Sequence, residues 1–263
     1  MTINFTKILG SGNDFVIIKG LKVARSHGLK GLARRMCDRK YGIGADGLLV
    51  LESSRRADVR MRIFNADGTE AEMCGNGARC AAYYLGKKSA RLETKAGVIE
   101  SKLNAGEVKI KLTLPQVVKL DVPIKINSRS LKVNFINIGV PHVVIFVRGL
   151  DKIDVVGLGR QVRFHNKFAP RGTNANFVEV VNKKSIKVRT YERGVEDETL
   201  ACGTGTAASA LIFALKTGAS KKVWVITKSG EVLKVYFERN KDKFSNVWLE
   251  GKVKLAYKGV YHV

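Results

Sequence analysis

Short apolar runs rich in β-branched residues alternate with turns bearing Gly, Asn and Asp along the chain, the pattern of many strands. Phe15–Ile18, Leu48–Leu51, Val59–Phe64, Val108–Leu114, Val143–Val147, Phe177–Val181, Ile186–Tyr191, Val223–Thr227 and Leu233–Phe237 each read as strand. Helical patterns are fewer. The clearest are Ala78–Leu85 and Thr206–Leu215, rich in Ala and bulky apolar residues on nearly every side, as in a buried helix. This pattern predicts strongly bent sheets, each wrapped around one central helix.

The two helices open on the same phrase. Cys74-Gly75-Asn76-Gly77-Ala78-Arg79-Cys80-Ala81-Ala82 starts the first, and Cys202-Gly203-Thr204-Gly205-Thr206-Ala207-Ala208-Ser209-Ala210 starts the second. The cysteines stand 128 positions apart in a chain of 263 residues, close to half its length. The likeness extends upstream. Val59–Gly68 precedes Cys74 as Ile186–Gly194 precedes Cys202, each a strand, a polar turn, then an acidic approach (Thr69–Glu72 and Glu196–Thr199). Ala45–Val50 and Asn174–Glu179 occupy matching places further back. Internal duplication explains this order.

The fold class expected is therefore α/β (α+β): two pseudo-twofold-related domains, each a bent, mostly antiparallel sheet around a central helix, with an active site in the cleft between them. Residues 1–120 form the first half, with Cys74, joined by residues 252–263; residues 121–251 form the second, with Cys202. The join falls near Pro115–Pro123, and halves of this size suit ordinary domains.

Hydrophobic residues at 45% and charged residues at 27% describe a soluble globular protein. No apolar stretch approaches the roughly 20 residues of a membrane span. The opening, Met1–Lys7, lacks a signal-peptide layout, so a cytoplasmic protein is expected. Four cysteines without a Cys-x-x-Cys spacing, and four scattered histidines, argue against a disulfide scaffold or a zinc site. The net charge of +24 would favour nucleic acid or an acidic membrane face. The basic residues are spread along the whole chain without a recognised module, which reads as a solvated basic surface. Gly42-Ile43-Gly44-Ala45-Asp46-Gly47 matches the dinucleotide fingerprint in letters only. A helix end precedes it and a strand follows, the reverse of what that fingerprint requires.

Two thiols at one carbon can take a proton from one face and return it to the other, which is racemase or epimerase chemistry. A helix N-terminus suits both parts of that task. Its unpaired N–H groups and positive macrodipole end bind a carboxylate, and they favour thiolate over thiol. The glycines after each cysteine let the backbone approach an anion closely. Cys37 and Cys80 lack that setting and read as core. If the two active thiols meet, oxidation is expected to join them in a disulfide.

An ordered set of longer phrases carries a resemblance: Gly10-Ser11-Gly12-Asn13-Asp14-Phe15, Gly42–Gly47, Phe64-Asn65-Ala66-Asp67-Gly68, Met73–Cys80, Gly139-Val140-Pro141-His142, Gly172–Phe177, Tyr191–Gly194 and Ala201–Gly205. Together they resemble diaminopimelate epimerases over nearly the whole chain. The resemblance implies a pyridoxal-independent, cofactor-free and metal-free enzyme interconverting LL- and meso-2,6-diaminopimelate on the lysine and cell-wall route, assembled as a homodimer. It implies Cys74 and Cys202 as the catalytic thiols, with His142 and Glu192 beside them tuning their protonation. Asn13, Asn65, Asn174, Glu192 and Arg193 would hold the distal amino acid end of the substrate. Gly75, Asn76, Gly203 and Thr204 would cradle the carboxylate at the reacting carbon. Gly47 and Val140 stand where many members carry Gln and Asn, and the loop before Cys202 is one residue longer than in some relatives. A racemase of proline, hydroxyproline or histidine on the same fold is the alternative that shares the thiols; Asn65, Asn174 and Arg193 favour a substrate with a second amino acid head. A basic nucleic-acid-binding protein is the alternative from another class, resting on the charge alone.

Overall fold

The computed structural model describes residues 2–20 and 28–262. Met1 and Val263, the outer limits of the first-half segments expected above, lie outside the described residues. The chain divides into two compact units, residues 1–111 with 251–263, and residues 112–250.

In the first unit β1 (Thr2–Gly10) and β2 (Asn13–Lys19) form a hairpin, and α1 (Leu29–Cys37) leads to β3 (Gly47–Glu52), parallel to β2. β4 (Val59–Asn65) returns antiparallel to β3, and the short β5 (Glu70–Ala71) folds back on β4. Then α2 (Gly75–Leu85) leads to β6 (Ser89–Thr94), parallel to β4, and β7 (Gly97–Asn104) and β8 (Glu107–Lys111) follow as an antiparallel meander. The last strand, β18 (Lys254–His262), pairs with β1.

The second unit repeats this plan. β9 (Val117–Ile126), β10 (Arg129–Asn137) and β11 (Pro141–Phe146) stand for β18, β1 and β2. α3 (Val155–Arg163) leads to β12 (Asn174–Asn182), parallel to β11, and β13 (Ser185–Glu192) returns antiparallel with β14 (Asp197–Thr199) folded back on it. α4 (Gly203–Thr217) then leads to β15 (Lys222–Ile226), parallel to β13, and to the antiparallel β16 (Val232–Asn240) and β17 (Lys243–Lys252). The segment around Pro115–Pro123 is largely strand β9, within the second unit.

Each sheet has a helix on both faces. Val16, Ile18, Leu48 and Val50 pack with Leu29, Leu32 and Met36 of α1, whereas Leu49 on the opposite face lies against Gly77 of α2. This is why Leu48–Leu51 is a continuous apolar run: β3 is buried on both sides. In the second unit Val143, Ile145, Ala175, Phe177 and Tyr191 pack with Val155 and Val162 of α3. The other face meets α4, whose residues Gly205–Ala214 are all buried. α2 touches β1, β2, β3, β4, β6, β7 and β8, and α4 touches β10, β11, β12, β13, β15 and β16, so each is the central helix of its unit. Both end on a left-handed glycine, Gly86 (φ 68°) and Gly218 (φ 79°).

Two local readings change. The strand expected over Val108–Leu114 ends at Lys111. α3 was hidden because Gly157 and Gly159 dilute its apolar pattern; Gly159 is needed where the helix meets the Tyr191 side chain, leaving no room for a Cβ. Of the Gly42–Gly47 segment, Gly42 to Ala45 close the end of α1, and Gly47 begins β3. Ile43 and Gly44 donate to Met36 O, and Ala45 donates to Cys37 O, satisfying carbonyls the helix leaves open. Among the described residues, no helix is long and apolar enough to cross a membrane.

Candidate active site

In the first unit Cys74 is the N-cap of α2. Its backbone is extended (φ −140°, ψ 122°), and its Sγ accepts from Gly77 N at 3.4 Å. Ser, Thr, Asp or Asn usually fills this place, because the cap must supply an acceptor to an open helix N–H. A thiol accepts weakly and a thiolate strongly. Gly75 and Asn76 are the next two residues of the helix. Asn76 is buried; its Nδ2 donates to Asn13 Oδ1 at 2.7 Å, and its Oδ1 accepts from Arg79 Nη2 at 2.7 Å. Asn13 in turn donates from Nδ2 to Asp46 Oδ2 at 2.9 Å, and Asp46 is gripped by Arg39 at 2.7 Å. Burial pushes the neighbouring Asp14 carboxyl up, but hydrogen bonds from Arg39 and Lys7 outweigh it and hold the group below the usual carboxylate range. Asn65 lies at the end of β4, exposed, with Nδ2 donating to Thr69 Oγ1 at 2.9 Å. Gly47 faces Asn65 in register across β3 and β4, and a side chain there would press on Phe64 O at 2.9 Å.

In the second unit Cys202 caps α4 in the same way (φ −107°, ψ 114°), its Sγ accepting from Gly205 N at 3.4 Å. Thr204 Oγ1 lies 3.6 Å from the sulfur, and Gly203 and Thr204 form the first turn of the helix. Glu192, at the end of β13, hydrogen-bonds Cys202 and accepts from Thr199 Oγ1 at 2.9 Å. Burial pushes its carboxyl up, and those two hydrogen bonds only partly restrain it. Asn174 is buried, its Oδ1 accepting from Arg193 N at 2.8 Å and its Nδ2 donating to Pro141 O at 3.0 Å. His142 is fully buried, in parallel register with Asn174. Burial drives its imidazole down to about 3, with the Arg193 charge acting in the same direction. Val140 lies in the turn before β11, its carbonyl accepting from Ile138 N.

Thus Cys74, Gly75, Asn76 and Asn13 gather in the first unit, where Asn65 ends β4 and bonds to Thr69. Cys202, Gly203, Thr204, Glu192, His142, Asn174 and Arg193 belong to the second. The side chains of Asn13 and Asn174 already bond within the protein, and each amide keeps capacity for a further partner. Among the described residues, no group of three His, Cys, Asp or Glu is disposed to hold a metal.

A repeated feature escaped the sequence reading. Four residues before each capping cysteine stands a glutamate, Glu70 or Glu198, held by an arginine fork and a lysine. Arg62 grips Glu70 at 2.8 and 3.1 Å, with Lys95 at 2.8 Å; Arg189 grips Glu198 at 2.6 and 2.8 Å, with Lys228 at 3.0 Å. The arginine fork on Glu70, working against some burial and aided by Lys95, holds its carboxyl down at about 2. Glu198 is also held down, its bonds to Arg189 and Lys228 outweighing burial. The acidic approach to each cysteine was legible; its pairing with an arginine on the neighbouring strand and with Lys95 or Lys228 from a later turn was not. Asn176 was also missed as a site residue, although a second buried Asn at an alternate position of an apolar strand is a usable signal.

The fold itself has solved counterparts. A phenazine biosynthesis protein of the PhzF family from Bacillus anthracis superposes with a TM-score of 0.76 at 19% identity, covering all of both chains. A hydroxyproline epimerase from Agrobacterium vitis gives 0.72 at 14% identity, over 98% of this chain and 92% of that one. These likenesses define the class: two-unit α/β proteins that build each sheet around a central helix. Within it, the diaminopimelate epimerase family model matches residues 5–120 and 134–255. Curated relatives named diaminopimelate epimerase include one from Aquifex aeolicus, 42% identical over 97% of this chain and 96% of its own, and one from Archaeoglobus fulgidus, 42% identical over 88% of each. The chain belongs to the diaminopimelate epimerase family.

Proposed function

We propose that this protein epimerises one stereocentre of 2,6-diaminopimelate, interconverting the LL and meso forms without pyridoxal, with Cys74 and Cys202 as its acid–base pair. The observation that carries the reading is a thiol in the N-cap of the central helix of each unit, each accepting from the third helical N–H at 3.4 Å. Family membership supplies the substrate.

Inversion at one carbon by two bases requires both thiols at that carbon. One thiolate takes the α-proton and becomes a thiol. The electron pair left on carbon delocalises into the adjacent carboxylate. The other thiol then gives its proton to the opposite face and becomes a thiolate, so the roles are exchanged and the reverse reaction is equally served. The backbone N–H groups in the first turns of α2 and α4, at Gly75–Asn76 and Gly203–Thr204, would serve as donors to a carboxylate on which charge grows, where fixed dipoles contribute most. Glu192 accepts from the Cys202 thiol, and by taking up that proton it would leave Cys202 as the thiolate while its own carboxyl becomes neutral, a transfer its raised carboxyl favours. Asn13, Asn65, Asn174 and Arg193 would bind the distal ammonium and carboxylate, the arginine by a forked pair of hydrogen bonds.

On this reading the enzyme works in the cytoplasm on the lysine route and assembles as a homodimer; exposed Leu255, Tyr257 and Val260 on β18 are the apolar surface that supports self-association. Sedimentation checks the assembly. The test of function is conversion of LL- to meso-diaminopimelate by reduced protein, followed by proton NMR. Cys74→Ala and Cys202→Ala are each expected to slow it by roughly 100- to 10,000-fold, the usual contribution of a positioned acid or base. Full activity in either variant would refute the pair.

A further inference from the structure

On the face of the second sheet that meets α4, strands β11, β12 and β13 present His142, Asn176 and Thr190. All are buried, at 0%, 0% and 3% exposure. Asn176 Nδ2 lies 2.9 Å from Val143 O and 3.3 Å from His142 Nδ1, and Asn176 Oδ1 accepts from Thr190 Oγ1 at 3.0 Å. A backbone carbonyl can only accept, so the edge of the amide turned to Val143 is its NH2 edge. The second hydrogen of that NH2 is directed at His142 Nδ1. A ring nitrogen facing a donor must offer its lone pair, so the imidazole proton sits on Nε2. A doubly protonated ring would set one N–H against another. Crowding fixes the arrangement further, because Asn176 Oδ1 lies against Gly205 in the first turn of α4, where a Cβ would not fit. His142 Nε2 is itself buried, with no hydrogen-bond partner among the described residues. A buried donor left open in this way calls for a partner, which a bound group would supply.

We infer that Asn176 is a positioning residue that holds His142 in the Nε2–H tautomer, making His142 a fixed, neutral hydrogen-bond donor to an anion of the reaction and not a carrier of the proton being moved. The inference rests on the epimerase reading for its acceptor, a carboxylate or a thiolate; the tautomer follows from the contacts alone. Asn176 plays the part that an outer carboxylate or carbonyl plays for other histidines, with the opposite sign, since it donates where they accept.

The test is long-range proton–nitrogen correlation NMR on protein labelled with 15N-histidine, at neutral pH and without substrate. His142 is assigned by elimination using His27→Gln, His165→Gln and His262→Gln. The expected spectrum shows Nδ1 unprotonated and Nε2 protonated; an Nδ1–H tautomer or an imidazolium overturns the inference, whether or not the protein turns over diaminopimelate. Asn176→Asp puts an acceptor at Nδ1 and is expected to draw a proton there, with kcat falling roughly 100-fold or more, as for other wrong-tautomer histidines. Should that variant not fold, the wild-type spectrum still decides. The Nε2 signal is then followed on adding equilibrated diaminopimelate and, separately, on raising the pH through thiol ionisation. Movement in the first assigns a carboxylate acceptor and in the second a thiolate; movement in neither overturns the donor role.

Discussion

Glu192 shows how one residue's surroundings set its chemistry. Burial raises its carboxyl, while the Thr199 hydroxyl and the Cys202 thiol stabilise the charged form. The ionised form is the one able to accept from the thiol, so activity is expected to rise as pH climbs through a value above that of an ordinary glutamate. Thr199→Val removes the 2.9 Å donor and is expected to move that acid limb of kcat/KM to still higher pH. A limb left in place would show that another group controls it. His142, driven down to about 3, stays neutral across this range and adds no limb of its own. At this scale the sequence was legible where the chemistry is local: each cysteine with its glycines names a helix cap. It was silent on Asn176, whose meaning lies in its contacts with Val143, Thr190 and His142 on neighbouring strands.

Each capping cysteine is delivered by an element whose position is fixed upstream. The fork of Arg62 on Glu70, and of Arg189 on Glu198, ties the returning strand before the helix to the strand it left. The side chains of Glu70 and Glu198 are each only 12% exposed, so these pairs are sheltered from the solvent that weakens surface ion pairs. Glu70→Gln is expected to cost roughly 1.5–3 kcal/mol, the usual worth of hydrogen bonds to a charged group. Because Glu70 ionises more readily folded than unfolded, its contribution is complete above its unfolded value of 4.5 and is lost as pH falls toward about 2. The loss in Tm caused by Glu70→Gln should therefore be smaller at pH 3 than at pH 7; an equal loss at both would mean the charge does not matter. Gly205→Ala is a second test at this scale, since its Cβ would be driven into Asn176 Oδ1 and lie 3.2 Å from Cys202 Cβ. Overpacking of this kind typically costs roughly 1–3 kcal/mol. Thermal unfolding measures it, and an unchanged Tm would show that the turn can yield. The helix α3 was not legible, because glycines chosen for close packing weaken the apolar period by which a helix is read.

For the whole molecule, duplication is the organising fact. The order strand, strand, helix, strand, strand, short return, helix, strand, strand, strand occurs once in each unit, and a thiol caps the second helix both times. The repeat was visible in sequence because the cap phrase needs small residues at fixed places. The particular strand pairings were not: the last segment was expected to join the first half, but its place beside β1 was not read, nor that β9 runs on through Pro123. The basic surface belongs to this scale as well. The +24 charge is expected to give weak binding to polyanions that falls steeply with salt while epimerisation persists. The central claim, two thiols acting on opposite faces of one carbon, is met most directly by running the reaction from LL-diaminopimelate in D2O and following deuterium in both isomers at early times. The account predicts that meso product carries deuterium at the inverted carbon from the first turnover while unreacted LL substrate keeps its protium; protium retained in the product, or deuterium washed into the substrate ahead of inversion, would contradict it.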